Sequence, residues 1–207
     1  HRQNWPSCVL LLGHQSRRPE LLRGALGMSF AWVKSRLHSM NPPLRHRKYL
    51  VTGASGYVGG RLVRALVDEK EDVRILVRDK NKIMGQPWAT QVDICEGSAE
   101  NFEDLQRSLE GVHTAFYLLH SINLGPHFDE IESEMARNFA KAAEQAGVSQ
   151  IIYLGGIAND ANISKHLASR EMTGKSLATT SVAVLELRAG IIIGSGSASF
   201  EMLRHLT

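Results

Sequence analysis

The chain holds 207 residues, 43% of them hydrophobic and 22% charged, with a mean hydropathy of -0.17. That is the length of one globular domain with enough apolar content for a core, which excludes a disordered, collagen-like or cysteine-stapled chain. Charge divides it: residues 1–48 hold nine of the 24 Lys and Arg and one acid, Glu20, a net +8 against -5 for the remainder.

The pI of 9.0 therefore belongs to a basic N-terminal extension, residues 1–47, and makes no case for a nucleic-acid partner. An Arg-rich, acid-poor start fits a mitochondrial transit peptide, which would place the protein in the matrix; otherwise it is expected in the cytoplasm. The chain opens on His1 and carries Met28 and Met40, the second ahead of Asn41-Pro42-Pro43, which suggests a fragment or a reading frame extended upstream of its true start; the plainer alternative to a transit peptide is an unstructured or artefactual extension. Residues 20–38 have the pattern of a short amphipathic helix with no chemistry on it. Cys8 and Cys95 lie far apart, and the nine histidines show no H-E-x-x-H spacing, so no disulfide framework or metal site is read. No apolar run approaches the ~18 to 20 residues of a membrane span.

From Lys48 onward strand and helix patterns alternate. Tyr49-Leu50-Val51 is a short apolar run, and after the following glycines Val58, Leu62, Leu66 and Val67 share one face of a helix beginning at Tyr57. Val73–Val77, Val92–Cys95, Thr114–Leu119, Ile151–Leu154 and Val182–Leu187 read as five further strands. Phe102–Leu109, Phe128–Ala146 and Ser164–Leu177 read as helices, Ser164 capping the last, with Gly111 and Gly147 where helix stops belong. Alternation of this kind predicts an α/β fold, a doubly wound parallel sheet of strand order 3-2-1-4-5-6 over residues 48–207. Phe200–Leu206 reads as the opening of a helix cut off at Thr207, so this domain is expected to be incomplete at its C-terminus.

Thr52 leads into Gly53-Ala54-Ser55-Gly56-Tyr57-Val58-Gly59, a G-x-x-G-x-x-G spacing directly after a strand and directly before a helix. Gly53 and Gly56 permit a tight turn and a close approach of backbone to a pyrophosphate, and Gly59 lets the helix pack near the sheet. The helix N-terminus then offers N–H groups to phosphate. The Gly-Lys-Ser/Thr of a kinase-type phosphate loop is missing, so the expected ligand is a dinucleotide. An acid at the end of the second strand would bond an adenosine 2′-OH, and an arginine would pair with a 2′-phosphate. Here Val77 is followed by Arg78, with Lys80 and Lys82 nearby. This favours NADP(H), with NAD(H) left open by Asp79 and by the chance that Arg78 only pairs with that acid.

His120 and Ser121 lie just beyond the fourth strand, at the edge where such sheets bind ligands, and read either as lining the nicotinamide side or as local turn chemistry. Arg188 ends the sixth strand near the same edge. Glu132, Glu134 and Arg137 are read as a solvated helix face.

With Thr52–Gly59, Leu76-Val77-Arg78-Asp79 and Tyr153-Leu154-Gly155-Gly156 in place, the chain resembles the atypical short-chain dehydrogenase/reductases. Within them it is most similar to the NAD(P)H-binding branch near the NmrA-like proteins and the reductase-like accessory subunit of respiratory complex I. Tyr117–Ser121, Ser164–Arg170 and Gly194–Glu201 resemble a bacterial subgroup that often carries a further C-terminal domain. The resemblance implies an oxidoreductase acting on an unknown small molecule, or a non-catalytic redox-sensing or assembly subunit that only binds the dinucleotide. It fixes no oligomeric state.

The departures bear on chemistry. Where such reductases place a serine after the fifth strand, this chain has Gly155-Gly156, and where they place a Tyr-x-x-x-Lys pair it has His166 and Arg170. The i, i+4 spacing keeps both on one helix face. The resemblance thus implies Arg170 on the nicotinamide ribose and His166 as candidate acid. Ser98, after Gly97, stands where relatives show an acid near the adenine. With the covering region cut off, binding with little or no turnover is expected of residues 48–207 alone.

Overall fold

The sheet's pairing explains why so short a set of strands holds together. In a computed structural model of the chain, residues 47–119, 128–157, 165–190, 192 and 194 are described. Two compact units divide the chain, His1–Arg45 and His46–Thr207, and every described residue lies in the second. Residues 1–46 of the basic extension, His120, Ser121, Ser164 and the Phe200–Leu206 segment lie outside the described residues.

Six strands, β1 (Lys48–Thr52), β2 (Asp72–Val77), β3 (Asp93–Glu96), β4 (Thr114–Tyr117), β5 (Gln150–Gly156) and β6 (Ala183–Ala189), form one sheet of order β3-β2-β1-β4-β5-β6. Every pair is parallel, with Leu50 opposite Arg74 on one side and Ala115 on the other. The helices are α1 (Tyr57–Asp68), α2 (Phe102–Leu109), α3 (Phe128–Gln145) and α4 (Lys165–Leu177). The doubly wound fold read from the sequence is therefore present.

Alternation along β1 sends Leu50 to one face and Val51 to the other, and each face has its own core. Leu50, Leu105, Leu109, Tyr117, Phe139, Ile151 and Tyr153 pack beneath α2, α3 and α4. On the opposite face Val51, Val63, Val73, Ile75, Ile83 and Trp88 pack with α1 and two short 3-10 turns, Lys80–Lys82 and Ala89–Gln91.

Local chemistry sets the helix ends. Asn101 caps α2 by accepting from the Asp104 N–H, and Glu103 and Asp104 place negative charge in its first turn. Gly147 stops α3 at φ +70, with its N–H bonding the Glu144 carbonyl and the Val148 N–H bonding that of Ala143. The same pair of bonds ends α1, but there Lys70 takes the left-handed position at φ 63.

Candidate functional site

Because all six strands run the same way, their C-terminal ends meet along one edge, and the predicted site residues that are described gather there. At the end of β1 the Thr52 hydroxyl donates to the Phe116 carbonyl (3.0 Å) and accepts from the Leu118 N–H (3.1 Å). That fully buried residue clips β1 to β4 and fixes the start of the loop. Gly53 then turns at φ +70, and a Cβ there would come 2.6 Å from the Leu118 carbonyl oxygen. A Cβ on Gly59 would collide with the Gly53 carbonyl, so α1 starts closer to the strand than any other residue allows.

Gly56 leads into α1 in extended conformation; no side chain caps the helix and no acid sits in its first turn. The first-turn N–H groups, which have no intrahelical acceptor, thus face the exposed Ser55-Gly56 segment with the positive end of the helix dipole behind them. Arg61 adds a guanidinium 3.7 Å over the Tyr57 ring. Val58 is half-buried in the same first turn. A cradle with its Cβ atoms removed, its donors free of side-chain caps and its charge positive fits a pyrophosphate.

The β2 end carries the second cluster. Arg78 is exposed, and among the described residues no hydrogen bond or ion pair ties its guanidinium. Asp79, the acid expected to compete for it, instead caps the first 3-10 turn by accepting from the Asn81 N–H (2.9 Å). Lys80 pairs with Glu96 at 3.6 Å. Beside them the Gly97 N–H bonds the Val77 carbonyl, which brings the β3 loop against the end of β2. Ser98 works locally: its N–H donates to Asp104 Oδ2 (2.8 Å) and its hydroxyl accepts from the Glu100 N–H (3.2 Å). Asp104 is the acid the sequence reading missed here. A Cβ on Gly97 would meet its carboxyl carbon at 2.6 Å, so α2 supplies a carboxylate to the loop where Ser98 has none.

The third cluster lies where β5 meets α4. β5 extends through Gly155 and Gly156, two residues beyond the predicted strand, and both glycines make room for side chains from neighbouring elements. A Cβ on Gly155 would lie 2.5 Å from the Glu186 carboxylate, and one on Gly156 would lie 2.8 Å from Leu167 and 3.3 Å from the Arg170 Cδ. The stem of Arg170 therefore lies across the end of β5. His166 is exposed and its ring stacks on Phe128, with centroids 5.0 Å apart and an interplanar angle of 27°. Arg188 falls within β6, one residue pair past the predicted end, and grips Glu186 through Nε (3.1 Å) and Nη2 (3.2 Å), which raises its pKa.

One sequence reading is corrected. Glu134 and Arg137 are solvated, but Glu132 is half-buried and accepts a short hydrogen bond from the Ser169 hydroxyl of α4. One acid among Asp129, Glu130, Glu132 and Glu134 on a charged helix gives no sign in sequence that a second helix will cover it. Tyr153 and Tyr117 lie below this point, buried, and burial pushes the Tyr153 phenol up to about 12 and the Tyr117 phenol higher still. Among the described residues no group of three or more His, Cys, Asp or Glu is placed to hold a metal ion, and no helix is long and apolar enough to cross a membrane.

Comparison with known proteins agrees with this geometry. Residues 53–189 match the NAD(P)H-binding family model. The chain is 31% identical over 116 residues to a 3-beta-hydroxysteroid dehydrogenase of Mycolicibacterium neoaurum, covering 51% of this chain and 31% of that one. It is 26% identical over 148 residues to a ceramide reductase of Caulobacter vibrioides, covering 70% and 46%. Its fold is similar to the triphenylmethane reductase of Citrobacter sp. at TM-score 0.59 and 25% identity, covering 70% of this chain and 49% of that one. The same reductase in complex with NADP(H) gives a TM-score of 0.60 at 23% identity, covering 69% and 49%. The chain thus spans less than half the length of these relatives. The resemblance to atypical short-chain dehydrogenase/reductases is borne out.

Proposed function

This chain belongs to the NAD(P)H-binding family, and from that premise we propose that it binds NADP(H) in preference to NAD(H) as the cofactor half of an oxidoreductase. The observation that carries the preference is Arg78: exposed at the end of β2, beside the β3 loop, with Asp79 engaged in capping a 3-10 turn and Glu96 paired with Lys80. A guanidinium so placed forms a fork for a 2′-phosphate and has nothing to pair with on a bare ribose. The NADP(H) complex of the Citrobacter reductase is consistent with a nicotinamide dinucleotide as the ligand, and the choice between the two rests on Arg78.

The residues divide the work along the sheet edge. The loop Gly53–Gly59 and the first turn of α1 hold the pyrophosphate; Arg78 takes the adenosine 2′-phosphate, with Gly97, Ser98 and Asp104 forming the adenine side. Arg170, with its stem on Gly156, donates to the nicotinamide ribose. His120 and Ser121 belong to the nicotinamide side by their place after β4. When bound, the reduced nicotinamide supplies a hydride. His166, held by its stack on Phe128, gives the accompanying proton to the oxygen of the substrate carbonyl.

The second reading, a dinucleotide-binding sensor or assembly subunit without turnover, is favoured by one observation. The space that a serine side chain would take at the end of β5 is filled by Glu186, Leu167 and the Arg170 stem. Turnover of the whole protein that survives intact in His166→Ala would remove the proton-donor role.

Calorimetric titration with NADPH and NADH tests the cofactor assignment. NADPH should bind at least about tenfold tighter, a difference of ~1.4 kcal/mol that one guanidinium can supply, and the preference should vanish in Arg78→Ala. Equal affinities in the parent protein would refute it.

A further inference from the structure

α4 carries both candidate catalytic residues, yet it has no apolar stripe to seat it. Its buried residues are Ser169, Thr173, Gly174, Ser176 and Leu177, of which only Leu177 is large and apolar. A helix face built from such small side chains gives hydrophobic packing little with which to fix rotation or axial register.

Polar contacts from three different elements fill that role, and all of them fall within two turns of Arg170. From β5, Tyr153 is 1% exposed and donates its hydroxyl proton to the main-chain carbonyl of Arg170 at 3.0 Å. From α3, Glu132 accepts from the Ser169 hydroxyl. From β6, the Glu186 carboxylate fits against Gly174, where a Cβ would stand 3.3 Å from Oε2. Residues 169 and 170 are thereby held by hydrogen bonds with the Glu186 carboxylate close against residue 174, and the Arg170 stem crosses Gly156 from that fixed turn. Directional bonds of this kind specify one register where apolar contact alone tolerates several.

We propose that Tyr153 and Glu132 are positioning residues for Arg170: they set the register of α4 so that the guanidinium reaches the nicotinamide-ribose half of the cofactor. This rests on the cofactor reading above. Neither residue touches the ligand. Both act through α4, Tyr153 on the backbone of Arg170 itself and Glu132 on the residue before it.

The test compares two ligands: NADPH, and 2′,5′-ADP, which carries the adenosine and its 2′-phosphate but no nicotinamide ribose. Tyr153→Phe keeps the ring and its packing against Tyr117 (6.1 Å between centroids) and removes only the hydroxyl. Tyr153→Phe and Glu132→Ala should each weaken NADPH about tenfold and leave 2′,5′-ADP within about twofold of the parent. Glu132→Gln, which retains an acceptor for Ser169, should stay near the parent. Arg170→Met should show the same ligand-selective loss, and Tyr153→Phe added to it should cost little more, because the two act as one unit. Equal weakening of both ligands, or none of either, would overturn the positioning role while leaving the cofactor reading intact. A parent protein that binds neither ligand would sink both.

Discussion

The two edges of this sheet use charge in opposite ways. At the N-terminal edge charged groups satisfy one another: Lys48 lies 3.7 Å from both Asp72 and Asp93, and Arg74 bonds Asp93 at 2.7 Å. Arg74 also donates to the carbonyls of Ser108 (3.1 Å) and Glu110 (2.9 Å), closing the C-terminus of α2. At the C-terminal edge Lys80 pairs with Glu96 and Arg188 with Glu186, but the uncapped first turn of α1 and Arg78, with no partner among the described residues, are left facing outward. Both edges belong to the same parallel strands, so the difference is not one of fold. An edge whose polar groups are mutually satisfied contributes stability, and an edge whose groups await an external partner contributes affinity.

That contrast can be broken at either end. The largest effect is expected at Gly59, where an alanine Cβ would strike the Gly53 carbonyl. Gly59→Ala should cost about 2 kcal/mol or more in chemical denaturation. The displaced loop should also lower NADPH affinity at least about 100-fold by calorimetry. Next, Arg74→Ala removes an ion pair and the helix closure together. It should lower stability by about 2 kcal/mol, read from the denaturation midpoint, with NADPH affinity within about twofold of the parent. Arg78→Ala is its mirror image: unfolding within about 0.5 kcal/mol of the parent, with the NADPH preference gone.

The smallest effect concerns pH. Burial, with help from Arg47, holds the His113 imidazole below its ordinary range. The folded state therefore binds its proton later than the unfolded chain, so this contribution is present above the ordinary imidazole pKa and is lost as pH falls through it. His113→Gln should flatten that part of the stability profile between pH 7.5 and 5.5, a range set by the ordinary pKa of about 6.5. Tyr153 has the opposite sign. Its phenol is raised to about 12, so its contribution is intact at neutral pH and is lost as pH climbs beyond the ordinary phenol range.

Sequence periodicity revealed the sheet edge well and the α4 mooring poorly, for physical reasons. Strand order, the glycine loop and the stops at Gly111 and Gly147 are encoded in residues whose backbone freedom or apolar spacing is itself the signal, and Gly111 and Gly147 both sit at φ +70. The stop of α1 is hidden because Lys70, a residue with no preference for it, takes the left-handed position. β5 and β6 run two residues past their predicted ends because Gly155-Gly156 pairs with Arg188-Ala189, and glycine next to a charge reads as a turn when no partner strand is in view. Glu132, Asp104 and Glu186 were missed as site-forming groups because each acts on a residue of another segment: Ser169, Gly97 and Gly155 respectively for the carboxylates of α3, α2 and β6. Nothing in a single helix pattern reports such a partner.

The contrast between the edges is tested most directly by thermal unfolding of the parent, Arg74→Ala and Arg78→Ala proteins, each with and without saturating NADPH. A ligand that binds only the folded chain raises the midpoint in proportion to its affinity. Arg74→Ala should unfold at a lower temperature with the NADPH-induced rise preserved, and Arg78→Ala should unfold with the parent but show a rise no larger with NADPH than with NADH. An Arg78→Ala protein that is destabilised as much as Arg74→Ala, with its NADPH-induced rise unchanged, would contradict the account.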